Sequence, residues 1–83
     1  MKKNYVILPV YNDWDSLKKV LEILNQSFKT LKSNNFIIIV NDFSSKKFVL
    51  NKKYSNFNKI SVLNLNKNVG SQKAIFFGLK YLQ

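Results

Sequence analysis

The residues able to do chemistry in this chain gather at three places, each directly after an apolar run: Pro9-Val10-Tyr11-Asn12-Asp13, Asn41-Asp42-Phe43-Ser44-Ser45, and Asn66–Ser71 followed by Lys73. Tyr11 offers an aromatic face and Asn12 amide donors, a pair suited to a nucleobase or a ribose. Asp13 can serve as the cap of a following helix in an ordinary strand-to-helix turn. Asp42 can accept an N–H from a pyrimidine ring, or it starts a turn with its own backbone. Gly70 is one of only two glycines. It allows close backbone approach and leaves free N–H groups at a helix start, an arrangement favourable to a diphosphate. Lys73, in the first turn of that helix, adds positive charge towards the same group; a plain loop and cap would use the same residues. Gly78 reads as a close-packing site on a helix face, and Trp14, Phe76 and Phe77 as packing residues.

What is missing is equally informative. The chain has no Cys and no His, and its only carboxylates are Asp13, Asp15, Glu22 and Asp42. A thiol nucleophile, a disulfide framework, a zinc finger and an imidazole base are therefore excluded. No catalytic residue and no metal ligand can be assigned. The formal charge is +10, yet all fourteen basic residues are Lys, scattered mostly in pairs, beside twelve Asn. Nucleic-acid readers favour the planar fork of Arg, so this charge reads as a solvated, anion-attracting surface, with no specific nucleic acid expected.

The elements that must position these residues follow from hydrophobic pattern. Tyr5–Leu8, Phe36–Val40 and Ile60–Leu65 are short apolar runs rich in strand formers, ended by Pro9, by Asn41-Asp42 and by Asn66-Lys67-Asn68. Continuous runs predict strands covered on both faces, as in parallel sheets. The third run alternates more, which suits a place nearer an edge. Leu17, Val20/Leu21, Leu24, Phe28 and Leu31 form one helical stripe, with Asp13 or Asp15 as cap and Ser33-Asn34-Asn35 as break. A short helix near Lys46–Tyr54 fills the second crossover, and Gln72–Leu82 forms a final helix. The order is β-α-β-α-β-α: a three-layer, Rossmann-like α/β fold on a three-stranded parallel sheet. In such sheets ligands bind beyond the carboxyl ends of the strands, where the three polar clusters fall.

The same three blocks resemble a known family. Val6-Ile7-Leu8-Pro9-Val10-Tyr11-Asn12-Asp13 resembles the P-x-Y-N-[DE] opening of family 2 glycosyltransferases of the GT-A fold. Phe36–Ser45 resembles their second strand and Asp-Asp-Gly-Ser loop, and Asn68–Leu79 their N-x-G-x-x-x-A-x-x-x-G-L segment. The resemblance implies a nucleoside diphosphate sugar as ligand, held by Pro9, Tyr11, Asn12, Asp13, Asp42, Gly70 and Lys73. It implies Asp13 near the ribose and Asp42 at the base. The Asn-x-Gly block with Gln72 is similar to the branch that uses polyprenyl-phosphate acceptors. Two positions depart from the pattern. Asn41 stands for the first Asp, and Phe43 stands for Gly, where a bulky side chain resists positive φ.

The family's Mg²⁺ or Mn²⁺ is held by an Asp-x-Asp motif that the resemblance places after the last helix, and this chain has none. With 83 residues there is room for at most one domain with a marginal core. The expectation is an amino-terminal, nucleotide-binding portion of a truncated GT-A fold spanning 1–83, inactive alone. It is expected in the cytoplasm, free or at the inner face of a membrane through a lipid-linked acceptor. The alternative is a small basic α/β module for an anionic partner such as nucleic acid.

Overall fold

The computed structural model describes residues 2–50 and 52–83. Strands β1 (Lys2–Val10), β2 (Ser33–Asn41) and β3 (Lys59–Asn64) form one parallel sheet in the order β1-β2-β3. Helix α1 (Trp14–Ser27), extended by a 3₁₀ turn over Phe28–Thr30, joins β1 to β2, and α2 (Ser71–Tyr81) follows β3. Tyr5 pairs with Phe36, Pro9 with Val40, and Ile39 with Val62.

Strand alternation sorts β2 onto two cores. Ile37 and Ile39 pack with Val10, Trp14, Leu17, Leu21 and Tyr54, while Ile38 and Val40 pack with Ala74 on the other face. Residues 37–40 are all at most 2% exposed, which is why this run is continuously apolar. Trp14, Leu17 and Leu21 come from one stripe of α1, so the three layers expected from the sequence are present. β3 lies at one margin of the sheet, as its alternation predicts, and β1 at the other.

Three local expectations are corrected. β1 does not stop at Pro9 but runs through it to Val10. The Val10 carbonyl accepts the Asp42 N–H, so Val10 faces β2 and the missing donor of Pro9 faces outward, where none is needed. Ser33–Asn35 does not simply break α1; it opens β2 opposite Lys2–Asn4. No helix forms near Lys46–Tyr54 among the described residues; Asn51 of that stretch lies outside them.

That crossover is instead fastened by side chains. Phe48 stacks on Trp14 at 4.5 Å, and Tyr54 and Phe57 join the α1-side core. Asn56 binds both the side chain and the carbonyl of Asn25, and Asn58 accepts the Asn35 N–H at 2.7 Å. Asn35, buried, donates to the Asn56 carbonyl and accepts from Asn4. An amide can stand in for a missing backbone partner on both its donor and acceptor sides. Much of the asparagine content thus serves as cross-linking of an irregular segment, where a helix would satisfy itself.

Candidate functional site

Beyond the carboxyl ends of the strands, the β1–α1 loop, the β2 end and the β3–α2 loop converge. Asp42 is their meeting point. It is buried, and its Oδ1 accepts the Val69 N–H at 2.8 Å. Its Oδ2 accepts the Gly70 N–H at 2.9 Å and an Asn68 amide hydrogen at 3.2 Å. A carboxylate has about four acceptor positions, so one remains for another donor. Sequence reasoning singled out Asp42 and Gly70 separately and missed that one clamps the other. The readable signal was Asn68-x-Gly70, because a buried acid needs donors and a tight Asn-x-Gly loop supplies three.

Pro9, Val10, Tyr11, Asp42 and Ser71 line a hollow of about 80 Å³. Pro9 and Tyr11 also wall an adjoining hollow of about 180 Å³, which Asp13 and Ser16 complete. The geometry therefore brings Pro9, Tyr11 and Asp42 together, sets Asp13 next door, and adds Ser71, which sequence reasoning left out of the set. Gly70 has φ +88° and precedes α2 without any side-chain cap, so the first N–H groups of α2 have no capping oxygen. Lys73 stands exposed in that first turn.

Asn12 is engaged inside the protein. With φ +62° it donates its N–H to Ser44 Oγ at 2.8 Å, and its Oδ1 accepts the Lys46 N–H at 3.0 Å. The Trp14 indole N–H donates to the Lys46 carbonyl, so Asn12 and Trp14 together fix the loop after β2. Asn41, the departure from the Asp-Asp pattern, accepts the Ser44 N–H and donates to Asn64 Oδ1 at 2.9 Å. An aspartate there could only accept; the amide ties β2 to the end of β3.

Asp13 caps α1, its Oδ1 accepting the Ser16 N–H. Hydrogen bonding from Ser16, with smaller help from Lys19 and Lys46, holds its carboxyl below the ordinary value of 3.8. Because the folded value is depressed, the cap's contribution is present above that ordinary value and is lost as pH falls below it. Asp13→Ser is expected to keep the cap at neutral pH and flatten this acid response, read from hydrogen exchange at the start of α1. Phe43 adopts φ +62° while largely exposed, the left-handed conformation its sequence position demands. Phe43→Gly is expected to raise stability by about 1 kcal/mol, measured by urea unfolding, since a bulky residue costs roughly 1–2 kcal/mol there and Gly almost nothing.

Among the described residues no three Asp, Glu, His or Cys side chains come together. Asp13, Asp15 and Glu22 belong to α1 and its cap, and Asp42 is already bonded, so these residues do not make a site for a divalent cation.

A parallel sheet flanked by a helix on each face, with its polar loops meeting beyond the strands' carboxyl ends, defines a Rossmann-like α/β unit. The sequence profile of Glycosyl transferase family 2 matches residues 5–83. The chain belongs to that family. It is 32% identical over 80 residues to a protein of Synechocystis described as an uncharacterized glycosyltransferase, a match covering 94% of this chain and 25% of that protein. The chain thus spans about a quarter of the length of that relative. No solved structure matches.

Proposed function

We propose that residues 1–83 form the amino-terminal, nucleotide-binding part of a glycosyltransferase that moves a sugar from a nucleoside diphosphate sugar to an acceptor. The observation that carries this reading is the hollow at Pro9, Tyr11, Asp42 and Ser71, beside the uncapped start of α2, in a chain of this family. Tyr11 packs against the base, and the free acceptor position of Asp42 takes a base N–H. Asp13, in the adjoining hollow, approaches the ribose. The first N–H groups of α2, with Gly70 and Lys73, face the diphosphate, because a helix start favours negative charge. In the whole protein an acceptor oxygen attacks the anomeric carbon in a single displacement, the new glycosidic bond forming as the bond to the departing nucleoside diphosphate breaks and the acceptor's proton passing to a base. The base for the acceptor is not among the described residues; a divalent cation would neutralise the departing diphosphate, and the described carboxylates do not form a place to hold one. A polyprenyl phosphate is the acceptor that the Asn68-Val69-Gly70 block with Gln72 favours by resemblance, and a glycan of the cell surface is the alternative acceptor.

Thermal unfolding with UDP, GDP, CDP and ADP, each with and without Mn²⁺, tests the reading. At roughly 10 mM ligand and a Kd of about 1 mM, binding contributes about 1.4 kcal/mol, a rise of roughly 6–11 °C for a domain of this size. One base should stand out, and Tyr11→Ala should erase its advantage. Equal shifts with all four nucleotides and with inorganic pyrophosphate would mean a surface that attracts anions generally.

A further inference from the structure

Tyr11 stands between the two hollows at the strand ends and lines both. Among the described residues no hydrogen bond reaches Tyr11 itself. Its neighbours are the ones fastened. The Val10 carbonyl accepts the Asp42 N–H at 2.8 Å, and the Asn12 N–H donates to Ser44 Oγ at 2.8 Å. The residues before and after Tyr11 are thus docked on one segment, the turn that follows β2. An aromatic ring carried on backbone held at both sides is pre-organised for a ligand, so less ordering cost falls on binding.

Asn12 does more than donate that N–H. At φ +62° it turns the chain between β1 and α1, in a conformation that Asn tolerates and most side chains resist. Its Oδ1 accepts the Lys46 N–H at 3.0 Å and the Ser45 hydroxyl at 3.3 Å. Lys46 is held a second time, its carbonyl accepting the Trp14 indole N–H at 2.9 Å. The oxygen of Asn12 therefore points to its own chain, while its Nδ2 makes no hydrogen bond among the described residues. A direct contact to a ligand would use Nδ2 as donor; a hold on Tyr11 uses the backbone N–H, the left-handed turn and Oδ1. All of these bonds run between segments of this chain, so they do not depend on what surrounds it.

We propose that Asn12 is a positioning residue for base recognition: its left-handed turn and its bonds to Ser44, Ser45 and Lys46 hold Tyr11 beside the hollow that Pro9, Asp42 and Ser71 complete. The proposal rests on the nucleotide reading above and deepens it, assigning Asn12 to the Tyr11 ring instead of to the ligand.

Chemical-shift titration of the chain with the favoured nucleoside diphosphate and with inorganic pyrophosphate tests it, the readout being the ratio of the two Kd values. The unsubstituted chain should bind the nucleotide about tenfold more tightly than pyrophosphate, the scale of one base stacked on an aromatic ring. Asn12→Ala should remove about that factor, as Tyr11→Ala does, and Y11A/N12A should lose no more than either. Asn12→Asp keeps the acceptor and tolerates the left-handed turn, so it should hold the ratio within about twofold. Its added charge weakens both ligands together. Ser44→Ala removes only the acceptor of the Asn12 N–H and should lower the ratio about threefold, an arm that decides the matter if Asn12→Ala fails to fold by circular dichroism. An unchanged ratio in folded Asn12→Ala, or in Ser44→Ala, overturns the proposal. So does a loss in Asn12→Asp as large as in Asn12→Ala, because Nδ2 would then touch the base itself. Additive losses in Y11A/N12A overturn it too. A ratio near one in the unsubstituted chain, with no nucleotide standing out, overturns the nucleotide reading and this proposal together. Loss in Tyr11→Ala alone leaves that reading intact and overturns only the role of Asn12.

Discussion

Asp42→Asn is expected to lower the unfolding free energy by about 3 kcal/mol, the largest loss from any single side chain in the site. The carboxylate is buried and accepts three hydrogen bonds, two of them from the backbone of Val69 and Gly70. Asparagine keeps one oxygen and turns an NH₂ towards a donor, so a backbone N–H loses its partner and the new N–H gains none. Each such buried mismatch costs roughly 1–3 kcal/mol, and bonds to a charged acceptor lie at the upper end. A small domain has only about 5–15 kcal/mol in total, so this loss removes roughly a fifth to three fifths of it and raises the unfolded population about a hundredfold. Urea unfolding measures the loss. Asn68→Ala, which removes only the 3.2 Å contacts, should cost about 1 kcal/mol. If the two variants lost equal stability, the carboxylate would not be the clamp.

Gly78→Val should cost a similar amount by a different route. A Cβ at Gly78 would stand 2.6 Å from Ile7 Cγ2 and 3.1 Å from Val40 Cγ2, both side chains of the α2-side core. Val40 is fully buried and has nowhere to go. Overpacking of this kind costs roughly 1–3 kcal/mol and forces α2 away from the sheet. Gly78→Ala regains about 1 kcal/mol of helix propensity, so its net loss should be small. The cause is separable by a double-mutant cycle: I7A/G78A should recover at least about 1 kcal/mol relative to the sum of the single changes. Additivity would place the cost in the helix itself. Because α2 carries Gly70 and Ser71 at its start, Gly78→Val should also weaken whatever binds beside Tyr11.

The parts of the fold written in local pattern were legible. Ile37–Val40 announces a strand covered on both faces, and Leu17, Leu21 and Leu24 announce one helix stripe, because burial imposes those periods directly. The parts settled by distant partners were not. Nothing near Lys46 says that Asn12 and Trp14 will hold its backbone, so an irregular crossover read as a poor helix. Pro9 read as a stop because the direction of its missing donor depends on which strand lies beside it. In the site, the positions of Pro9, Tyr11 and Asp42 around one hollow followed from their places at strand ends. The inward commitments of Asn12 and Asp42 did not, since a polar residue's partner is invisible until the loops converge.

The register of the sheet also governs time. Tyr5 pairs with Phe36, and Phe36 with Lys59, so neither ladder can begin until a crossover of roughly twenty to thirty residues has closed. A chain whose every strand contact is distant in sequence folds on the slow side for its size. During synthesis β1 must wait, unpaired, for β2 to emerge. The nine residues of β1, with one proline near their end, are then the segment most open to pairing with the wrong strand.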